Sequence, residues 1–597
     1  MHPHVRKSLA ALVLGLTVVG WGGCAVKTGA PPPEPQTVTV RVIGINDLHG
    51  QLEPAGLTLS VPDPRSPSST QRLAVGGAAA LAGLLETLRA SSRHHVTVSS
   101  GDMIGATPLV SALFRHEPTV DIANLIGVDL AIPGNHEFDA GQTELLRLLS
   151  GGCADNAASS PVKSCAMGRH SGAQFVTFAA NVETAAGATL FPPSVVREFG
   201  GVRVGFIGAV TRATPSIVIP SGIEGLRFTD EAQAINAEAR RLTSMGVQAI
   251  VAVVHEGGST GAPGTPMQWN DPSCPNARGE IFEIVRRLGP EIDLILSAHT
   301  HQGYRCVIDG RAVMQATALG RGVSVADLVI DRRTGEVDRQ LTQHRNLPVL
   351  RDDGDAGLRE AVIAAEPQPW AALLRQARPS AAVQTRVAEY AALAAPLARQ
   401  PAGRISGSFE RGSRTDSSAG RLIADAQWAA TRDAVRGGSQ VALMNPGGVR
   451  TDLRCSSPSP CEVSFGDLFA MQPFGNSLVV MTLSGSELRQ LLEEQHPPRR
   501  AGATFLNPSS SLSYSWRPAS PYGHRVSDLL LGGRPVADTD EVRLTVNSFL
   551  AEGGDGFATL RKGRQRMGGP LDIEALMQYL QERSAQPVLD PRIRLVD

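Results

Sequence analysis

Five apolar runs in this chain end in the same kind of polar cluster, and that pattern constrains the fold more than any other feature. Residues 38–45 run into Asn46-Asp47-Leu48-His49-Gly50, and residues 96–100 into Gly101-Asp102. Residues 128–133 lead to Gly134-Asn135-His136-Glu137-Phe138-Asp139. Residues 249–254 lead to His255-Glu256-Gly257-Gly258, and residues 292–296 to Ser297-Ala298-His299-Thr300-His301. A short apolar run bounded by turn residues reads as a buried strand. In open α/β sheets, ligands bind just beyond the carboxyl ends of such strands. Residues 77–90 and 141–149 read as helices between them, so strands and helices alternate as βαβ units. Imidazole and carboxylate groups at the strand ends suit Zn, Mn or Fe, and a set this large can hold two ions sharing one carboxylate.

At 597 residues the chain exceeds one ordinary core, so two domains or more are expected. A formal net charge of −1 gives no electrostatic reason to bind a nucleic-acid polymer or an anionic membrane. An anionic ligand must then be held by local positive charge, which a metal cluster would supply.

The N-terminus reads as an export signal. Residues 2–7 are basic, residues 9–19 form an apolar core too short to span a bilayer, and Trp21-Gly22-Gly23-Cys24 follows. Small residues before a Cys resemble a bacterial lipobox, and that resemblance implies a lipidated Cys24 as first residue of a periplasmic protein, anchored to the outer membrane because Ala25 is not the Asp that retains lipoproteins at the inner one. An ordinary signal peptide is the other reading, because Trp21 stands where an aliphatic residue is usual. Residues 25–37, with Pro31-Pro32-Pro33-Glu34-Pro35, form an extended tether. The other cysteines fall into the sequence-local pairs Cys153/Cys165, Cys274/Cys306 and Cys455/Cys461, the simplest pairing in an oxidising compartment. Oligomeric state stays open.

The ordered set Asp-x-His, Gly-Asp, Gly-Asn-His-Glu, His and His-x-His resembles the calcineurin-like dimetal phosphoesterases. With the C-terminal motifs below, the chain resembles the 5′-nucleotidase/UDP-sugar hydrolase family over residues 38–590. The resemblance implies an α/β fold: a calcineurin-like α/β sandwich at 38–345, a helical linker at 346–400 and an α/β nucleotide-recognition domain at 401–597. It implies two divalent ions, Zn, Mn or Co. Asp47, His49, Asp102 and His301 would ligate one, and Asp102, Asn135, His255 and His299 the other. His136, oriented by Asp139, would stabilise the transition state or assist the leaving group. The implied reaction is in-line attack of hydroxide on phosphorus, releasing orthophosphate from nucleoside 5′-monophosphates. UDP-sugar pyrophosphatase or 2′,3′-cyclic nucleotide phosphodiesterase activity on the same site is the alternative, and a catalytically silent nucleotide-binding lipoprotein a more distant one. Glu137 and Glu256 read as supporting groups.

Asn445-Pro446-Gly447-Gly448-Val449-Arg450 resembles the family's Asn-x-Gly-Gly-x-Arg, in which the carboxamide meets the nucleoside and the Arg an anionic group. Gln472-Pro473-Phe474-Gly475-Asn476 and the stretch 547–557 are also similar to the family pattern. The resemblance implies that Phe474 and Phe549 sandwich the base, that Asn476 lies in the substrate site and that Asp555 binds the ribose hydroxyls. Stacking accepts any base, so breadth is expected. Arg414 looks like a further substrate-contacting arginine, with Arg411 as its competitor. Motifs on both sides of the linker must meet around one substrate, so a cleft between the domains is expected, with hinge motion at 346–400. The Ser/Pro-rich residues 60–71 read as a surface loop, and His94, His95, His116 and His170 as surface residues.

Overall fold

The computed structural model describes residues 35–596 apart from 55, 64–65, 157–161, 263–267, 456–458, 498–502 and 589. The expected export signal, Cys24 and most of the expected tether lie outside the described residues. No helix among the described residues is long and apolar enough to cross a membrane.

Two six-stranded sheets form the first body. One has the order Gln343–Pro348, Gly322–Asp331, Thr37–Ile45, His95–Ser99, Leu130–Ala131, Val176–Thr177. The other runs Gly303–Ile308, Arg311–Ala316, Leu294–Ser297, Ala249–His255, Val202–Val210, Ser194–Phe199. Their central strands are parallel and buried on both faces, which explains the uninterrupted apolar runs in the sequence. Alternation still decides which face each residue serves. Val38, Val40 and Val42 meet Phe206, Val251, Val253 and Leu296 in a core between the sheets. Ile43 and Ile45 point outward to the helix Ala78–Ala90, while Ile250, Ala252 and Val254 point to the helices Glu231–Ser244 and Glu280–Arg287. The body is therefore layered α/β/β/α, and the parallel strands of both sheets end on one side.

Two expectations change here. Residues 60–71 belong to a hairpin of Thr58–Asp63 and Ser66–Ala74, not a loop. Its register sets Leu59 opposite Leu73, both buried beside Val75 and Leu358, a pairing the Ser and Pro content obscures. The last strand of the first body ends at Pro348, beyond the expected boundary at 345.

Helices Ala356–Ala365, Trp370–Gln376 and Ala381–Ala398 follow. They contribute Trp370, Leu373, Val383 and Val387 to the outer core of the first body, and the Tyr390 hydroxyl donates to Asp121 at 3.0 Å. The connection is thus part of a domain wall rather than a free tether. Beyond it, a five-stranded sheet has the order Asn507–Pro508, Val441–Met444, Glu541–Asn547, Ser477–Ser484, Arg564–Leu571. Helices Ser418–Thr431 and Asp572–Glu582 share one core and Gly485–Glu493 another. All three expected disulfides are present, each with Cα atoms 5.5 Å apart.

Candidate metal centre and interdomain cavity

The strand ends turn sharply. Asp47, His49, Asp102, His299 and His301 have φ of 48°, 47°, 51°, 72° and 57°. Left-handed backbone at non-glycine residues costs about 1–3 kcal/mol each and persists only where its surroundings enforce it. Here adjacent loops enforce it by continuing to pair beyond their strands. The N–H groups of Asp47, His49 and Gly50 donate to the carbonyls of Gly101, Asp102 and Met103 at 3.1, 2.9 and 2.7 Å.

The side chains then converge in two groups, Asp47/His49/His301 and Asp102/His255/His299, with a third, His49/Asp102/His136, overlapping both, and the candidate ligand atoms in each lie within 4.8 Å of one another. The Nδ1–H groups of His49 and His255 donate to the carbonyls of Gly105 and Ser100, both at 2.8 Å. That fixes the tautomers and turns each Nε2 inward, as metal-ligating histidines require. Asp102 Oδ2 lies 3.1 Å from His255 Nε2 and 3.8 Å from His49 Nε2, between the two groups. Asn135 Oδ1 is 3.2 Å from His255 Nε2, and the Nε2 atoms of His49 and His301 are 3.0 Å apart. Convergence of carboxylate, carboxamide and imidazole acceptors is the donor set of a divalent cation site, and these residues fit one on each side of Asp102.

Two residues hold that arrangement. Glu137 accepts the backbone N–H groups of Gly134, Asp102, Met103 and Ile104 at 2.6, 2.9, 2.9 and 3.3 Å, tying two ligand loops together. Asn46 donates to Asp47 Oδ2 at 2.7 Å and to the Thr317 carbonyl, and accepts from Ala316 N–H at 3.1 Å. The Asn46 clamp has no signal in the sequence beyond a polar residue at a strand end.

Burial dominates the electrostatics. It pushes Asp47 up to about 7, with Asp102 adding to the shift, and Glu137 to about 7 despite its N–H donors. Burial lowers His49 to about 3. Asp102 moves the other way: burial opposes its charge, but His255 and His136 outweigh that and hold it well below the usual range. His136 Nδ1–H donates to Asp139 Oδ2 at 2.7 Å. Burial would lower this imidazole, yet Asp139 and Asp102 prevail and raise it, favouring imidazolium.

The second body completes the enclosure. A cavity of about 220 Å3 is lined by Asn135, His136, Asp139 and His299 from the first body and by Asn445, Arg450, Phe474, Asn476, Phe549 and Asp555 from the second. Asn445 Nδ2 donates to Asp555 at 2.8 Å, and Asn547 Nδ2 to Asn445 Oδ1 at 2.9 Å. The Phe549 ring lies so close to Gly554 that a Cβ there would come within 2.4 Å of it. Phe474 stacks on His136 with centroids 5.9 Å apart and planes 15° from parallel, and the Arg450 guanidinium lies 5.8 Å from the same ring. Arg411 donates to the Arg450 carbonyl at 2.8 Å, whereas Arg414 is exposed in a separate groove beside Thr415, Asp416 and Arg421. The structure thus puts Arg411, not Arg414, next to Arg450. Of the four histidines expected at the surface, only His170 is buried, and His94, His95 and His116 are half-buried. His170 is buried with Nε2 2.8 Å from the Leu148 carbonyl, and half-buried His116 bonds Thr107 at 3.0 Å.

Residues 40–303 match the family described as Calcineurin-like phosphoesterase, and residues 398–562 match 5'-nucleotidase, C-terminal domain. The fold and its site thus define a metal-dependent phosphoester hydrolase. The Probable 5'-nucleotidase of Treponema pallidum (strain Nichols) is 26% identical over 633 residues, covering 97% of this chain and 96% of that one. A 5'-nucleotidase precursor from Thermus thermophilus superposes with a TM-score of 0.71 at 25% identity, over 94% of this chain and 99% of that one. Endonuclease YhcR of Bacillus subtilis (strain 168) is 29% identical over 552 residues, 91% of this chain but 40% of that protein, so the chain spans less than half of this longer relative. The chain belongs to the 5′-nucleotidase family of calcineurin-like phosphoesterases.

Proposed function

We propose that this enzyme releases orthophosphate from nucleoside 5′-monophosphates. One observation carries the reading: a single cavity is lined at one end by Asn135 and His299 of the metal groups and at the other by Phe549 and Asp555. Divalent ions bound at the two groups would supply Lewis acidity and an activated water. Arg450 and Arg411 grip the phosphate oxygens, since guanidinium forks match that geometry. His136, held by Asp139, hydrogen-bonds the departing 5′ oxygen and gives it a proton. Asp555, oriented by Asn445, accepts the ribose hydroxyls, and Phe549 stacks the base with Phe474 beside it. The 5'-nucleotidases among the relatives support this reading.

The test is phosphate release from AMP, UDP-glucose and 2′,3′-cyclic AMP by chelator-stripped protein with Mn or Zn restored. Metal-dependent release from AMP is expected. Silence on AMP with turnover of another ester overturns the substrate and leaves the metal chemistry standing. Export with lipidation at Cys24 belongs to the same proposal, on the pattern of residues 2–24. Intact-mass analysis of the mature protein would show the acyl groups, and an unmodified N-terminus beyond Cys24 would refute the anchor.

A further inference from the structure

The first body contributes more than metal ligands to the cavity. Its segment after the strand Val202–Val210 brings Ile217, Val218 and Ile219 to the lining, with Asn445, Phe474, Phe549 and Asp555 among the residues that complete it. Local structure explains why the Ile217 and Ile219 side chains are available. The short helix Thr214–Ile217 ends at Val218, which is extended at φ −126° and ψ 170°, and Ile219 is extended at φ −67° and ψ 116°. Successive side chains of an extended segment point to opposite sides. Val218 is buried in a core with Phe138, Leu145 and Phe191, so its two neighbours are turned away from that core. Both are half-buried, and the segment packs against Gly554–Gly556 of the second body. Its base is firm: Thr211 donates its N–H to the His255 carbonyl at 3.0 Å and its hydroxyl to Glu256 at 2.7 Å.

We propose that Ile217 and Ile219 form the aliphatic wall of the base pocket and select for a flat heteroaromatic group by contact rather than by hydrogen bonding. This deepens the nucleotidase reading and rests on it for the identity of the bound group. The polar groups nearby are already engaged with one another, Asn445 with both Asp555 and Asn547, and Asn476 with Ser548 at 3.1 Å. A branched aliphatic wall offers dispersion and exclusion of water, and no donor or acceptor that distinguishes one base edge from another. The first body therefore adds a wall of the base pocket to the metal groups it already supplies, and that contact is indifferent to base identity.

Adenosine binding separates this inference from the nucleotidase reading, because it requires no turnover. Calorimetry of adenosine with the full chain should show the dissociation constant rising about tenfold in the double variant Ile217→Ala/Ile219→Ala, from the loss of apolar contact area. Ile217→Val/Ile219→Val should recover most of the affinity. Uridine should lose affinity by a similar factor. With AMP, the loss should fall on KM more than on kcat. Unchanged adenosine affinity in the double alanine variant overturns the proposal. A kcat loss as large as the KM change also overturns it, because a disturbed Thr211–His255 contact would reach the metal end. Silence of the wild-type protein on AMP would refute the nucleotidase reading alone.

Discussion

The two ends of the cavity are built on different terms. At the metal end, every proposed ligand comes from one domain and sits at or just beyond a strand end. Its imidazoles and loops are held by backbone carbonyls, Glu137 and Asn46. At the proposed nucleoside end, the second domain supplies Asn445, Phe549 and Asp555, and the first domain supplies Ile217 and Ile219. The metal groups rest on loops inside one fold; the cavity beside them exists only where two folds meet. Strain at five proposed ligands is tolerated at the first end because two packed sheets stand beneath it.

The largest effect expected is at the residue shared by both metal groups. Asp102→Ala should abolish measurable turnover and lower bound metal, read by metal analysis; full metal content would break the claim that this carboxylate joins the two groups. His136→Ala, or Asp139→Asn, should lower kcat roughly 10²–10⁴-fold with metal retained, as loss of a proton donor does. Metal loss in either variant would place His136 among the ligands. Glu137→Gln should weaken metal affinity or turnover about 10–100-fold, the usual cost of losing a group that orients ligands. At the other end, Phe549→Ala should cost about 1–3 kcal/mol of AMP binding, seen in KM and not in metal content.

The smallest effect concerns pH. Asp572 lies beside the cavity residue Asn476, its N–H donating to the Asn476 carbonyl at 2.8 Å, and burial raises its carboxyl from 3.8 to about 7. The folded state holds this proton more tightly than the unfolded chain, so the contribution to stability is complete below the unfolded value and is lost as pH rises through about 7. Asp572→Asn should flatten the fall in melting temperature across that interval, and an unchanged slope would remove Asp572 as its source.

Much of the metal end is legible in the sequence because a parallel strand buried on both faces leaves an unbroken apolar run, and its polar terminus stands out against it. The pairs Cys153/Cys165, Cys274/Cys306 and Cys455/Cys461 are legible because close neighbours in one loop or domain meet at little entropic cost. The hairpin at 58–74 is not, since its Ser and Pro residues mask the cross-strand pair Leu59/Leu73. Arg411 and Arg414, three residues apart in one loop, cannot be told apart by motif, because loop direction decides which side chain reaches Arg450. His170 carries no strand-end context, yet packing buries it against a helix carbonyl.

The sequence by itself determined the layered α/β body, the polar strand ends and the disulfide partners, all properties of local periodicity and short separation. Only the tertiary structure decided that Glu137 would tie loops from two strands, that Phe474 would lie on His136, and that Ile217 and Ile219 would face the second domain. Those contacts join residues far apart in the chain, and their geometry depends on how sheets and domains pack, which no local pattern encodes.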